Sequence, residues 1–268
     1  MQSSSRQSAS SSPSAPRPPV GLSSPWRWLQ LGWADLKAQP LPGLLHGLAL
    51  AGFGWLLVGL AGDQFWWLAG AFSGFLIVAP VLATGLYEIS RRRELGLSTP
   101  LRHIWALWRS GDRRLMGFGV LLGAAGTGWV LTSAGLITLW SEVPVERPLD
   151  FVRHVVLADS PGLFEVWVLL GALLAAPMFA STVLTLPMLV DTRVPVWHAV
   201  GESWRAVAVH PLPMALWALL IALMVMLSLG TLLLGLVVLV PVLGHASWHA
   251  YRDLAGDTRL SNRSSQSV

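Results

Sequence analysis

Between residues 212 and 251 the chain runs for 40 residues without an Asp, Glu, Lys or Arg. As a single helix that run would be ~60 Å long, about twice the hydrocarbon thickness of a bilayer. It has to fold back on itself, and Gly230-Thr231 is where the pattern allows a turn. Four further apolar blocks precede it, at about 43–62, 65–87, 117–140 and 164–190, each of a length that suits one transmembrane helix. Six spans result. The expected fold class is all-α, a polytopic membrane protein. Only 12% of the residues are charged, roughly half the fraction in soluble domains. The absence of Cys excludes disulfides, thiolate zinc sites and iron–sulfur clusters together.

Once six spans are drawn, the basic residues sort by side. Of the 18 Lys and Arg, only Arg147 and Arg153 fall on one side, in company with Glu142, Glu146, Asp150, Asp159 and Glu165. The other 16 lie in the N-terminal segment, the second and fourth connections and the C-terminal segment. The positive-inside rule then places both termini in the cytoplasm. A pI of about 10.6 would also suit a nucleic-acid binder. The arginines flank apolar spans rather than forming one patch, however, so membrane orientation is the better reading and no nucleic-acid partner is expected.

Residues 1–24 hold ten Ser and four Pro and no acid, and read as a disordered tail. The same composition has a minor resemblance to an organelle transit peptide. A six-helix membrane domain spans residues 25–255, and residues 256–268 read as a second disordered tail. Within the domain a unit recurs. Pro25, Pro100 and Pro195 each open a short amphipathic stretch before spans one, three and five. Their apolar stripes are Trp26, Leu29, Trp33 and Leu36; Leu101, Ile104, Trp105 and Trp108; and Trp197, Val200, Trp204 and Val207. Such helices suit the headgroup plane. Spans two and six also end alike, with Tyr87 and Arg91 after Pro80, and Trp248 and Arg252 after Pro241, at the same seven- and eleven-residue spacings. The expected architecture is three hairpin repeats, each preceded by an interfacial helix, related by an axis along the membrane normal.

The segments Gly85–Arg91, Leu186–Asp191, Ser203–Val207, Met214–Ile221 and Pro241–Leu254 resemble the core signature of DUF2189, a family of bacterial integral membrane proteins. The resemblance covers about residues 24–255 and implies a bacterial inner-membrane location. The family has no established activity and supplies no catalytic residues to transfer. Some members carry a cytochrome c oxidase label, which makes haem worth testing.

Six of the seven histidines stand at or near the basic side. His245 and His249 share one face of span six, and His46 enters span one at similar depth. Three such imidazoles are candidate haem or metal ligands. The plainer reading has them bonding across helices, since no carboxylate lies inside either span to orient a ligating ring. Glu88, beside Arg91, Arg92 and Arg93, reads as an interfacial ion-pair partner. No ionisable residue falls in the middle of any span, where proton- and ion-coupled carriers usually place one. Small-residue pairs (Gly43/Gly47, Gly70/Gly74, Gly119/Gly123, Ala124/Gly128) suit helix packing within the chain, with homo-oligomerisation as the alternative. Ser181, Thr182 and Thr185 suit bonding to backbone. No hydrolase, nucleotide or dinucleotide fingerprint occurs.

The expected role is therefore non-enzymatic: an accessory or structural component engaging anionic lipid or another membrane complex. The contact residues are Arg91, Arg92, Arg93, Arg102, Arg109, Arg113 and Arg114, each adding ~1 kcal/mol of attraction near an acidic surface. Two alternatives stand beside it. One is a permease for an apolar or amphiphilic solute; the other is a redox protein with haem or metal on His46, His245 and His249.

Overall fold

Proline sets the helix boundaries along this chain. The computed structural model describes residues 19–61, 64–141, 143–157 and 162–265. Among them the regular structure is entirely helical. The helices are α1 (Ser24–Ala38), α2 (Pro40–Ala61), α3 (Phe65–Glu94), α4 (Leu101–Arg109), α5 (Arg113–Trp140), α6 (Pro148–Phe151), α7 (Leu163–Thr182), α8 (Thr185–Asp191), α9 (Val196–Val209), α10 (Pro211–Gly230) and α11 (Leu236–Ser265). A short π-helical turn, Val152–Val156, extends α6. Pro40, Pro148 and Pro211 each start a helix, where a missing N–H costs nothing.

Four helical stretches are long and apolar enough to cross a membrane: Pro40–Leu60, Arg113–Trp140, Leu163–Asp191 and Pro211–Gly230. They coincide with expected spans one, three, four and five. The second expected span lies along α3, whose side chains between residues 72 and 81 are outside the described set. Pro80 of the repeated motif falls there. The sixth lies along α11, which is apolar as far as Leu243 and then carries His245, His249, Arg252 and Asp253. This helix continues past residue 255 to Ser265. Of the acids on the sparsely basic side, Glu142 and Asp159 lie outside the described residues.

The fourth span is divided. Pro187 collides with the carbonyl four residues before it, and the chain breaks between α7 and α8 at Val183-Leu184. The freed Leu184 N–H donates to the Ser203 hydroxyl of α9 at 3.1 Å. Thr182 and Thr185 return their hydroxyls to backbone carbonyls, whereas Ser181 accepts from the Trp204 indole at 2.9 Å.

The turn at Gly230-Thr231 is present, and it strains the backbone. Leu232 and Leu233 take φ values of 53° and 69°, each costing about 1–2 kcal/mol for a residue with a Cβ. The loop is latched to α2: Trp55 donates its indole N–H to the Leu232 carbonyl at 2.7 Å, and Gly54 leaves space for the Leu233 side chain.

Most of the buried core lies at the basic end. Trp28, Trp217, Trp248, Tyr251, Leu189 and Leu254 are wholly enclosed there between α1, α8, α10 and α11. Among the described residues the first interfacial helix packs extensively against α11. Close approach is possible because Gly32 has no side chain: a Cβ there would stand 2.5 Å from the Val242 carbonyl oxygen and 2.7 Å from the Ala246 nitrogen. Gly47 brings α2 onto the Val237 backbone at the start of α11 in the same way, and Gly43 leaves room for the Leu36 side chain of α1. Gly119 and Gly123 are buried in α5, while Gly70 and Gly128 have open space beside them; the surroundings of Gly74 lie outside the described residues.

All three interfacial stretches are helical, with a division of faces that periodicity alone did not resolve. In α1 the stripe that packs inward is Trp28, Gly32, Asp35 and Leu36, while Trp26 and Trp33 face outward. In α9 Ala199, Ser203 and Ala206 pack inward, leaving Trp197 and Trp204 exposed. In α4 Ile104 is buried and Trp105 exposed. Each helix thus turns one face to the protein and leaves exposed tryptophan on another. At the opposite ends of the spans Trp55, Trp66, Trp67 and Trp140 are likewise exposed. Two tryptophan belts are the pattern that membrane interfaces select.

Candidate functional site: a buried polar knot at the basic end

Where α1, α3 and α11 cross, four polar side chains meet with almost no solvent. Asp35 on α1 is 1% exposed, and Ser90 on α3 and His245 on α11 are fully enclosed. The Ser90 hydroxyl donates to Asp35 Oδ2 at 2.5 Å. Its one proton is thereby used, so the 2.8 Å contact with His245 Nδ1 has the imidazole as donor. His249, one turn further along α11, donates from Nε2 to the same carboxylate oxygen at 2.9 Å. The Arg93 guanidinium closes on Asp35 Oδ1.

Burial by itself would raise the Asp35 pKa. The hydrogen bonds from His249 and Ser90, the charge of His249 and the bond from Arg93 outweigh it, and the carboxyl lies below its usual range. The site is an anion held by donors from three directions, which locks the N-terminal helix to the second and sixth expected spans.

Around this centre lies a ring of ion pairs. Arg91 grips Glu88 through two bonds, of 2.7 and 3.1 Å, and Glu88 raises the Arg91 pKa. Arg252 reaches Glu94 at 3.1 Å and Asp191 at 3.6 Å, and Asp191 also accepts from the Tyr251 hydroxyl at 2.8 Å. Asp253 takes Arg27 at 2.6 Å and the Trp28 indole N–H at 2.7 Å. The basic ends of α3, α8 and α11 therefore meet through alternating charges, and α1 is strapped across them.

The seven candidate arginines divide by role. Arg93 serves Asp35 and Arg91 serves Glu88. Arg92 donates to the Ser98 carbonyl at 3.0 Å. Arg114 binds Asp112 and the carbonyls of Leu189, Thr192 and Val194, satisfying the end of α8 where the helix dipole favours a cation. Arg114 in turn lowers the Asp112 pKa. Arg102, Arg109 and Arg113 are exposed and point outward from α4 and the start of α5.

The three candidate histidines do not act as one ligand set. His249 is turned to Asp35 and His245 to Ser90, while His46 Nδ1 donates to the Pro42 carbonyl at 2.6 Å. The Nε2 atoms of His46 and His245 are buried without a partner. That of His46 faces Gly85 so closely that a Cβ there would overlap it, and that of His245 would be 3.5 Å from a Cβ on Gly43. Among the described residues no group of three His, Cys, Asp or Glu is placed to hold a metal ion.

Nor do Ser90, His245 and Asp35 make a nucleophilic triad. The serine proton goes to the carboxylate rather than the imidazole, and the hydroxyl is sealed from any substrate.

Sequence reasoning had noted the histidines and Glu88 but missed Asp35 and Asp253. A signal existed for Asp35: it continues the Trp28–Gly32 stripe at helical spacing, opposite the tryptophan stripe that attracts the eye.

No curated protein and no solved structure matches the chain. Of the segments that carry the resemblance read from sequence, Gly85–Arg91 and Leu186–Asp191 fall within the stretch that matches a family model, and those from Ser203 onward fall beyond it. Over residues 68–191 the chain matches the DUF2189 model, that of predicted integral membrane proteins.

Proposed function

We propose that this membrane protein crosses the bacterial inner membrane six times, with both termini in the cytoplasm, and acts as a non-enzymatic component whose cytoplasmic face engages anionic lipid or a membrane complex. The observation that carries the reading is the placement of Arg102, Arg109 and Arg113. They are exposed on and beside α4, next to the outward-facing Trp105, while the neighbouring arginines are tied to the fold. A helix with indole and guanidinium both facing out suits the boundary between acyl chains and acidic headgroups. The Asp35 carboxylate of the polar knot is buried under Ser90, His249 and Arg93, which supports a structural rather than a catalytic use of that site. Three hairpin units around a common axis fit the meeting of the ends of α3, α8 and α11.

The test is co-flotation of the purified full-length protein, held in nanodiscs of neutral lipid, with phosphatidylglycerol-containing vesicles. Replacing Arg102, Arg109 and Arg113 together by Gln should weaken association by ~1 kcal/mol per residue at low salt. Unchanged association would remove the reading.

A further inference from the structure

We propose that the open groove between the α1–α2 corner and the α3–α4 connection holds the phosphate of one anionic phospholipid. The groove, about 700 Å³, is walled by Gln39, Pro42, Arg93, Leu97 and Thr99, and no Asp or Glu lines it. Asp35 engages one edge of the Arg93 guanidinium from behind, and the side chain remains 38% exposed, leaving donors for a second anion.

The N-terminus of α4 opens on the same groove through Pro100; no side chain caps it and its first turn holds no acid. The positive end of the α4 dipole, at the N-cap Pro100, favours a phosphate oxygen at such a place. Independently, Thr99 also lines the groove: it is 5% exposed, and its hydroxyl is buried without a partner. A buried hydroxyl without a partner calls for a ligand group, and a phosphate oxygen supplies the acceptor.

A lipid is favoured over free phosphate by what borders the groove. Leu41 and Leu97 line it and are 63% and 47% exposed, at the level where α2 enters and α3 leaves the apolar region. A soluble ion would leave them bare, whereas glycerol and acyl chains would cover them.

The proposal rests on the lipid-contact reading but concerns one saturable site rather than a charged face. The experiment is native mass spectrometry of the full-length protein in micelles titrated with phosphatidylglycerol, at low and high salt, together with Ser98→Glu and Thr99→Val. Ser98 is exposed, so a carboxylate there repels the phosphate without disturbing the core. One phosphatidylglycerol per chain should persist at high salt, and its affinity should fall roughly tenfold in Ser98→Glu and measurably in Thr99→Val. A persistent lipid with unchanged affinity in both variants overturns the groove while leaving the broader lipid reading intact. Loss of all lipid at high salt also overturns it, leaving only diffuse attraction. In a parallel titration with inorganic phosphate, binding equal to that of phosphatidylglycerol and equally weakened by Ser98→Glu overturns the assignment to a lipid. Absence of any association at low salt would instead strike the broader reading.

Discussion

His249 Nε2 lies 2.9 Å from Asp35 Oδ2, across 214 residues of chain. This contact makes the segment before the first span part of the folded domain rather than a tether. It joins the Gly32 approach of α1 to α11 and the Asp253 contacts with Arg27 and Trp28 to clamp the two ends of the domain together.

Asp35→Ala should be the most damaging single polar change. It strips the acceptor from His249, Ser90 and Arg93 at once, and breaking a buried charged cluster costs about 3–5 kcal/mol. Thermal unfolding in detergent should show a clear fall in midpoint, while Glu202→Ala, whose partner Arg205 is 3.7 Å away and half exposed, should leave the midpoint within error.

The same carboxyl predicts an acid limit. Its folded pKa lies below the usual 3.8, so the unfolded chain takes up the proton first as pH falls. The contribution of Asp35 is complete above that value and is lost as pH drops through the lowered folded pKa. Unfolding midpoints followed from about pH 6 to about pH 3 should fall more steeply for the native chain than for Asp35→Asn.

Gly32→Val should disrupt the α1–α11 contact, because its Cβ would meet backbone that cannot rotate away. Overpacking of this kind costs roughly 1–3 kcal/mol or more. Gly52→Ala, at a position with open space, is the control and should be neutral or slightly stabilising in the same unfolding assay.

Trp55→Phe should loosen the α10–α11 turn by about 1 kcal/mol, the net worth of its bond to the Leu232 carbonyl. Hydrogen exchange of the amides of residues 231–235 should accelerate, with the amides of α1 unaffected.

The absence of native cysteine allows the six-span topology to be tested directly. Single cysteines at Gln64, Val143 and Leu234 should react with an impermeant maleimide from one side of the membrane, and one at Ser98 from the other. Labelling of Gln64→Cys from the same side as Ser98→Cys would exclude α3 as a span.

Much of the fold was legible because lipid imposes a simple demand on backbone and side chains. Four spans could be read from apolar length, and the turn at Gly230-Thr231 from the impossibility of one 60 Å crossing. The interfacial helices were legible from proline starts and periodicity, and Trp26, Trp33, Trp105, Trp197 and Trp204 of their stripes do face outward. In α1 Trp26 and Trp33 mark the outward face, and Trp28, Gly32 and Asp35 mark the packed one. Hydrophobicity cannot rank those faces when the surroundings are themselves apolar.

By itself, then, the sequence determined the all-helical membrane class, since that follows from local composition. Tertiary structure alone decided which charges are spent on the fold and which face outward. Arg93 and Arg102 look equivalent along the chain, yet only Arg93 has a buried carboxylate from α1 brought against it. That difference depends on Gly32 letting two distant helices touch, a long-range contact that no local pattern encodes.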